Sequence, residues 1–421
     1  MNATKLTKNH RQIYYFELIV LLAMLTSLGA LTIDLQLPAM PDILASFGLQ
    51  EANMQQWIVS AYMLGFASVQ IIYGPLSDSF GRKPIVLFGL IIYIAASLWL
   101  LVADDYMVFL LARGLQGVGA AAARIMINAI TRDFFHGNEM AKVTSLVMMI
   151  FIMVPVFAPT FGSILMWLGD WHLILYVFLT FGLVVFVWTW LRLPESLAEH
   201  HKRPFRLHRL KASFLQVVSE PLAIVFAVVS GVIFSGFMAY LNSAEQIFSN
   251  LYNATDLFPY IFGLLALFFG LAAFVNSRVV MRFGAMRVTL YALVSLVIIN
   301  VIQIGLMSVY DGLPPLWLFV AAVAGINMCV GLVFGNVMAI AMMPLGNVAG
   351  MGASVIGSIS TFIAAIIGIG ISQQLDGNLW PIAWGFMATA TVSLLLVVRF
   401  KNAVPNKRNL SPEQTQQQGP S

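Results

Sequence analysis

Five charged side chains lie inside long apolar stretches of the sequence: Glu17, Asp34, Arg113, Arg124 and Glu245. A charge in the middle of a membrane helix costs about 2.5–3.5 kcal/mol on insertion scales, so each of them needs a partner or a function. Burial favours the uncharged form of an acid, whereas a neighbouring cation favours the carboxylate. An acid under both influences can bind and release a proton as its surroundings change, and proton transfer is therefore the chemistry we expect.

Asp34 and Arg113 are expected at similar depths. Asp34 is near the outer end of the first apolar stretch, and Arg113 is about 9 Å below the outer end of the fourth, at 1.5 Å per helical residue. An ion pair between them is geometrically possible, and it would either lock two helices together or control protonation of the acid. Gln116 is one turn from Arg113 on roughly the same helix face.

The other three charges each allow two interpretations. Glu17 is at the inner edge of the first stretch, where an interfacial position and a role in a central cavity are both open. Glu245 is either a second acidic proton site or a charge on the outer rim, and the rim is slightly favoured. Arg124 can extend to the inner interface, which favours a structural role.

The composition requires a membrane protein. The 421 residues are 60% hydrophobic and 10% charged, whereas soluble domains carry about 25% charged residues. Apolar runs of about 20 residues recur along the chain, which is the length of a membrane span. The net charge of +4 comes from loops beside these runs, so no nucleic-acid partner is predicted.

No metal, cofactor or enzymatic chemistry is predicted. The six histidines fall in loops or tails without metal-ligand spacing. The one cysteine, Cys329, excludes an internal disulfide. The spans hold no cluster of His, Asp or Glu for acid–base catalysis, and the sequence has no phosphate-binding loop of an ATP-driven pump.

The apolar runs predict an all-α membrane protein with twelve helices in two six-helix halves. The predicted spans are 13–37, 55–76, 84–103, 107–131, 141–167, 172–193, 222–248, 257–280, 286–308, 315–343, 350–374 and 379–399. The predicted domains are an N-terminal half at 1–193, a cytoplasmic linker at 194–220, a C-terminal half at 221–401 and a disordered cytoplasmic tail at 402–421.

The charges predict the orientation. The inner loops and both tails hold nearly all of the 22 basic residues, whereas the outer loops hold none. The positive-inside rule therefore places both termini on the cytoplasmic side. Two halves of six spans are the internal repeat of many transporters, and Phe283-Gly284 between spans 8 and 9 repeats Phe80-Gly81 between spans 2 and 3.

A polar turn joins spans 2 and 3: Gly74-Pro-Leu-Ser-Asp78-Ser-Phe-Gly81-Arg82-Lys83. Its glycines permit a tight turn and close backbone approach. Asp78 can face the positive N-terminal end of a neighbouring helix, and Arg82 and Lys83 mark the cytoplasmic side. The turn is thus expected on the cytoplasmic side of the membrane.

Spans 4 and 5 carry residues that affect helix packing and shape. Small residues follow Arg113 in span 4, and they allow another helix to approach closely. Span 5 carries Pro155, Pro159 and Gly162. The two prolines lie on one face, where they produce either a packing kink or a hinge between the halves.

These motifs resemble those of the major facilitator superfamily. Residues 74–83 resemble its loop signature, with Ser79 where an arginine is usual. Residues 113–119 resemble the span-4 signature of proton-coupled members. Residues 158–162 resemble the span-5 motif of antiporters, with Ala158 and Ser163 in place of glycines.

The first span is similar to that of a narrower group. Residues 32–41, Thr-Ile-Asp-Leu-Gln-Leu-Pro-Ala-Met-Pro, resemble the signature of twelve-span drug/proton antiporters, and most nearly that of the bicyclomycin and chloramphenicol resistance (Bcr/CflA) subfamily. The resemblance implies a monomeric exporter in the bacterial inner membrane. It would exchange outside protons for a drug-like compound by alternating access around a central cavity.

The resemblance also implies residue roles. Asp34 would bind the proton and a cationic substrate, and Arg113 would be its coupling partner. Asp78, Arg82 and Lys83 would form an inner latch between span 2 and the second half. The alternative function is proton-coupled import or export of a specific small metabolite.

Overall fold

A computed structural model describes residues 5–8, 11–198 and 207–403 of the chain. Twelve helices in these residues are long and apolar enough to cross a membrane. The predicted all-α membrane fold with twelve spans is therefore confirmed. The sequence predicts these helices well because about 20 apolar residues in a row are a local property of the chain.

The first half contains six spans, numbered here in chain order. Spans 1 to 6 are Tyr15–Asp34, Gln56–Phe80, Arg82–Leu101, Tyr106–Phe134, Gly137–Leu168 and His172–Arg192. A short antiparallel hairpin of Lys5–Lys8 and Arg11–Tyr14 precedes span 1. The predicted start of span 1 at residue 13 therefore falls inside a strand, which the apolar pattern does not indicate.

The second half repeats this order. Spans 7 to 12 are Pro221–Gln246, Phe258–Phe283, Ala285–Val309, Leu316–Met342, Ala349–Ser372 and Trp380–Phe400. The predicted linker contains a helix, Leu207–Val218, which contacts spans 7 and 11. The tail predicted to be disordered lies outside the described residues from 404 onward.

Two glycines make the same turn in the two halves. Gly81 ends span 2 with a φ of 105°, and Gly284 ends span 8 with a φ of 81°. Residues with a Cβ atom rarely adopt such angles. The weak repeat of Phe80-Gly81 in Phe283-Gly284 thus reflects the same backbone turn at equivalent places.

Glycines bring spans 2, 3 and 4 into backbone contact. A Cβ atom at Gly117 of span 4 would collide with the carbonyl oxygen of Tyr62 in span 2. A Cβ atom at Gly119 would lie 2.6 Å from the carbonyl oxygen of Gly89 in span 3. The predicted close approach of helices along the small residues of span 4 is confirmed.

The two halves contact each other mainly along spans 2 and 11 and along spans 5 and 8. A third contact joins the outer part of span 7 to the short 3-10 segments Leu37–Ala39 and Ala52–Gln55. In the orientation predicted from the charges, this third contact lies on the outer side. Spans 1, 2 and 7 thus meet where an outer gate would be.

Candidate functional site

Asp34 is the last helical residue of span 1, and it is buried at 5% exposure. Pro38 lacks the backbone N–H that would bond to the Asp34 carbonyl oxygen, so the α-helix cannot continue regularly across this segment. The chain instead makes the 3-10 turn Leu37–Ala39 and resumes as the helix Met40–Ser46. Among the described residues, the Asp34 carboxyl group has no hydrogen-bond or ion-pair partner.

Gly162 of span 5 packs directly against this break in span 1. A Cβ atom at Gly162 would collide with the carbonyl oxygen of Leu35 and would lie 3.4 Å from the Pro38 ring. The last residue of the span-5 motif therefore contacts the turn that follows Asp34. The sequence names both segments as candidates, but it does not indicate that they touch.

Arg113 is fully buried within the first half. Its guanidinium donates hydrogen bonds to the Gln116 side-chain oxygen and, at 3.3 Å, to the Thr32 carbonyl oxygen of span 1. Gln116 in turn donates to the Ser97 hydroxyl at 2.9 Å. Neutral groups of spans 1, 3 and 4 thus replace part of the water that would otherwise solvate this cation, and its Nε atom has no hydrogen-bond partner among the described residues.

Two aromatic rings complete the surroundings of Arg113. The guanidinium carbon lies 5.1 Å from the ring centre of Tyr62 and 5.8 Å from that of Phe178. Ring faces attract a cation, and the attraction strengthens away from water. Arg113 reaches the backbone two residues before Asp34, but the two side chains form no ion pair in this conformation.

Glu17 has a partner that the sequence does not indicate. Its carboxylate accepts hydrogen bonds from Arg192 at 2.6 and 2.7 Å and from the Trp188 ring nitrogen at 3.2 Å. This bidentate ion pair joins the inner ends of spans 1 and 6. The contact favours the interfacial interpretation of Glu17 over a role as a second proton site.

Glu245 is buried, with only 3% of its surface exposed. The slightly favoured interpretation as an exposed rim charge is wrong for this reason. Gln55 and Ser249 are its polar neighbours, yet its Oε2 atom has no hydrogen-bond partner. The helix of span 7 turns this side chain inward, toward the first half.

A ring of four amide side chains closes the outer contact between the halves. Gln56 donates to Gln246 at 3.0 Å, and Gln246 donates to the Asn53 side chain at 2.8 Å. Gln373 donates to the Gln56 side chain at 3.0 Å and to the Asn53 carbonyl oxygen at 2.7 Å. We call these residues the outer amide ring.

The outer amide ring is not indicated by the sequence. Amides near span ends are ordinary in sequence, and the partners are separated by 190 to 320 positions. A nearby hydrogen bond from Asn242 to the Ser60 hydroxyl, at 3.1 Å, extends the network one layer inward. Only the packing of span 7 and span 11 against span 2 brings these groups together.

The polar turn between spans 2 and 3 is held mainly by contacts within the first half. Arg82 binds Asp78 at 2.6 Å, the Ser77 hydroxyl at 2.5 Å and Asp133 of span 4 at 3.4 Å. Arg82 is only 7% exposed. Asp133 is a further functional candidate that only the structure identifies.

Glu195, just after span 6, binds the beginning of span 3. Its carboxylate accepts the backbone N–H groups of Arg82 at 2.9 Å and Lys83 at 3.2 Å. An anion at a helix N-terminus satisfies free N–H groups and matches the helix dipole. The Lys83 ammonium donates to the Trp190 carbonyl oxygen at 2.7 Å. Span 6 therefore positions the turn.

The predicted inner latch to the second half is only partly visible. Gly74 faces span 11, where an added Cβ atom would lie 2.8 Å from the Ser354 hydroxyl. The side-chain contacts described for Asp78, Arg82 and Lys83 are to groups of the first half. In this conformation, Gly74 is therefore a member of the turn that meets the second half.

The prolines of span 5 lie at the interface with span 8. The helix Gly137–Leu168 is continuous through Pro155 and Pro159. A Cβ atom at Gly263 of span 8 would lie 2.6 Å from the Val156 carbonyl oxygen. Val156 lies between the two prolines, so this part of span 5 packs directly against span 8 where the halves meet.

An apolar cavity of about 210 Å³ lies among spans 1, 5 and 6. Ser27 and Leu31 contribute the wall from span 1, Val154 that from span 5 and Phe181 that from span 6. Ser27 and Leu31 precede Asp34 by seven and three positions, which places all three on one helix face. The cavity therefore extends along the face that ends at Asp34.

Comparison with known proteins identifies the family. The sequence model of the Major Facilitator Superfamily matches residues 22–368. The chain is 27% identical over 382 residues to the Bicyclomycin resistance protein homolog of Haemophilus influenzae, covering 90% of this chain and 95% of that one. It is 28% identical over 391 residues to Multidrug resistance protein MdtL of Salmonella paratyphi A, covering 89% and 92%.

A solved structure supports the same fold. The D-xylose-proton symporter matches with a TM-score of 0.70 at 13% identity, over 93% of this chain and 98% of that chain. The resemblance inferred from the motifs is thereby confirmed. The chain belongs to the Major Facilitator Superfamily, as a multi-pass membrane transporter of small molecules and not an enzyme.

Proposed function

We propose that this protein is a proton-coupled multidrug efflux antiporter of the bacterial inner membrane. The observation that carries the proposal is the position of Asp34: a buried carboxyl group without a cationic partner, at the point where span 1 breaks. An unpaired carboxylate is costly in such a place, so a proton or a cationic substrate has to neutralise it. The names of the two resistance relatives favour drug-like substrates.

Competition for Asp34 is sufficient to produce exchange. When the protein faces outward, Asp34 takes a proton and the substrate loses its counter-charge. When it faces inward, the substrate enters and the proton leaves. Each ligand disfavours the other by the same free energy, because coupling between two binding events is reciprocal. The apolar cavity, whose wall includes Leu31 one helical turn before Asp34, suits a substrate that combines an apolar body with a positive charge.

Arg113 is the proposed coupling partner. Its hydrogen bond to the Thr32 carbonyl oxygen links span 4 to the part of span 1 that carries Asp34. A movement of span 1 relative to span 4 would change the distance from the guanidinium to the carboxylate, and with it the proton affinity of Asp34. Gln116 holds the guanidinium in position.

The test measures proton movement driven by substrate. Inside-out vesicles with an imposed pH gradient receive candidate drugs, and the intact chain is compared with Asp34→Asn at matched expression. Asp256→Asn, which removes an exposed carboxylate from an outer segment, is the matched control. We expect drug-dependent proton release from the intact chain and the control, and its loss in Asp34→Asn.

Two other outcomes change the proposal. Flux that survives in Asp34→Asn would keep antiport and move the proton site to another acid. Absence of flux with a broad panel of drugs, from folded protein, would count against drug export. Uptake or export of a specific small metabolite would then be tested.

A further inference from the structure

We propose that Glu245 is a second proton-binding site, and that the outer gate closes only when this residue is protonated. The outer gate is the contact between the halves that includes the outer amide ring. The inference deepens the proposed function, since it assumes a proton-coupled transporter, but it concerns a different acid in the other half of the molecule.

Glu245 lies directly beside the outer amide ring. Glu245 directly precedes Gln246, a member of the outer amide ring, and its neighbour Gln55 directly precedes Gln56 of the same ring. The Glu245 side chain is therefore enclosed by the same two spans that form the gate. In the closed gate, only 3% of its surface is exposed.

The surroundings of Glu245 disfavour a negative charge on its side chain. The charged groups on the outer segments around Glu245 are carboxylates. Asp42, in the helix Met40–Ser46, repels a negative charge on Glu245. Glu51, Asp256 and Asp376 are exposed on neighbouring segments. The outer segments contain no lysine or arginine, so no cation there can compensate an ionised Glu245.

The carboxyl group of Glu245 lacks a full set of hydrogen bonds. The Oε2 atom of Glu245 has no partner, although its surroundings are rich in amide groups. A buried carboxylate without a cation and without a full set of hydrogen bonds costs several kcal/mol. A protonated carboxyl group avoids this cost. The closed gate thus fits the neutral acid and opposes the charged one.

A dependence of gate closure on the outside pH follows from this asymmetry. When the gate opens, water from the outside reaches Glu245 and stabilises its carboxylate. Closing the gate then requires that a proton be taken from the outside. Each closure of the outer gate would therefore take up one proton at Glu245, and each reopening would return it to the outside, independently of the site at Asp34.

A cysteine placed in the gate reports its opening. Ser60, 1% exposed, accepts a hydrogen bond from Asn242 across the gate, so Ser60→Cys becomes reactive only when the gate opens. Ser46→Cys, on the exposed side of a short outer helix, is the always-accessible reference. Both are made in Cys329→Ala. A membrane-impermeant maleimide is applied from the outside, and the Ser60→Cys rate is divided by the Ser46→Cys rate.

The expected result is a pH-dependent ratio. Between about pH 5.5 and about pH 8.5 the ratio should rise by up to about tenfold per pH unit, the limit for one coupled proton. Glu245→Gln mimics the protonated acid, so the ratio should stay low at every pH. Glu245→Asp should restore the dependence, and Asp104→Asn, which removes an exposed outer acid that the charge argument does not use, should leave it unchanged. Equal Ser46→Cys labelling in all backgrounds controls for folding.

The same assay separates this inference from the proposed function. The pH dependence should persist in Asp34→Asn, because it needs no drug and no proton at Asp34. A pH-independent labelling ratio in the reporter proteins that keep Glu245 would overturn the inference. An unchanged pH dependence of the ratio in Glu245→Gln would also overturn it. Failure of drug-driven flux would remove the proposed function without affecting this result.

Discussion

Gln56 is the central member of the outer amide ring, and its replacement by leucine should shift the protein toward an outward-open state. Its side chain donates to Gln246 at 3.0 Å and accepts from Gln373 at 3.0 Å. A leucine has nearly the same size but forms neither bond. In the open state water would satisfy the amides of Gln246 and Gln373, so the penalty falls on the closed state alone.

The expected magnitude follows from the two bonds. A neutral hydrogen bond contributes about 0.5–1.5 kcal/mol net, so the loss of two amounts to about 1–3 kcal/mol. Such a change alters the ratio of closed to open molecules by about 5- to 150-fold. A weaker third contact from Gln56 to the Ser243 hydroxyl, at 3.5 Å, adds little.

Distances between spin labels measure this shift. The labels are attached at Glu51→Cys and Asp256→Cys, which are exposed in outer segments of different halves, in a Cys329→Ala background. Gln56→Leu should populate longer distances. The matched control is Gln374→Leu, because this exposed glutamine, which follows the end of span 11, donates its side-chain hydrogen bond back to the Gly370 carbonyl oxygen of that span. An identical distribution in Gln56→Leu and the control would refute the gate assignment.

Two further predictions concern the first half. Gly162→Ala forces a Cβ atom against the Leu35 carbonyl oxygen, so thermal unfolding should show a loss of about 1–3 kcal/mol, whereas Gly370→Ala, with open space around it, should be tolerated. Equal stability of the two would contradict the contact at the span-1 break. Glu17→Gln should cost under about 1 kcal/mol, because the Arg192 side chain is 43% exposed. It should also keep drug-dependent proton flux, and loss of flux at unchanged stability would restore Glu17 as a candidate proton site.

The charged residues show how far the sequence leads toward the site. The rarity of acids in membrane spans was enough to single out Asp34 and Glu245. The sequence did not decide which groups surround them. The sequence allows an ion pair between Arg113 and Asp34. In the structure, the Arg113 guanidinium instead donates hydrogen bonds to Gln116 and to the Thr32 carbonyl oxygen. The sequence allows two interpretations of Glu17, and its pair with Arg192 favours the interfacial one.

The sequence alone determined the span number and the turns at Gly81 and Gly284, and it predicts the orientation. These depend on hydrophobicity, loop charge and local backbone freedom, all of which are properties of short segments. Only the tertiary structure decided the outer amide ring, the burial of Glu245 and the contact of Gly162 with the break in span 1. These depend on which helix faces meet, and helices distant in the chain meet through packing that no local pattern encodes.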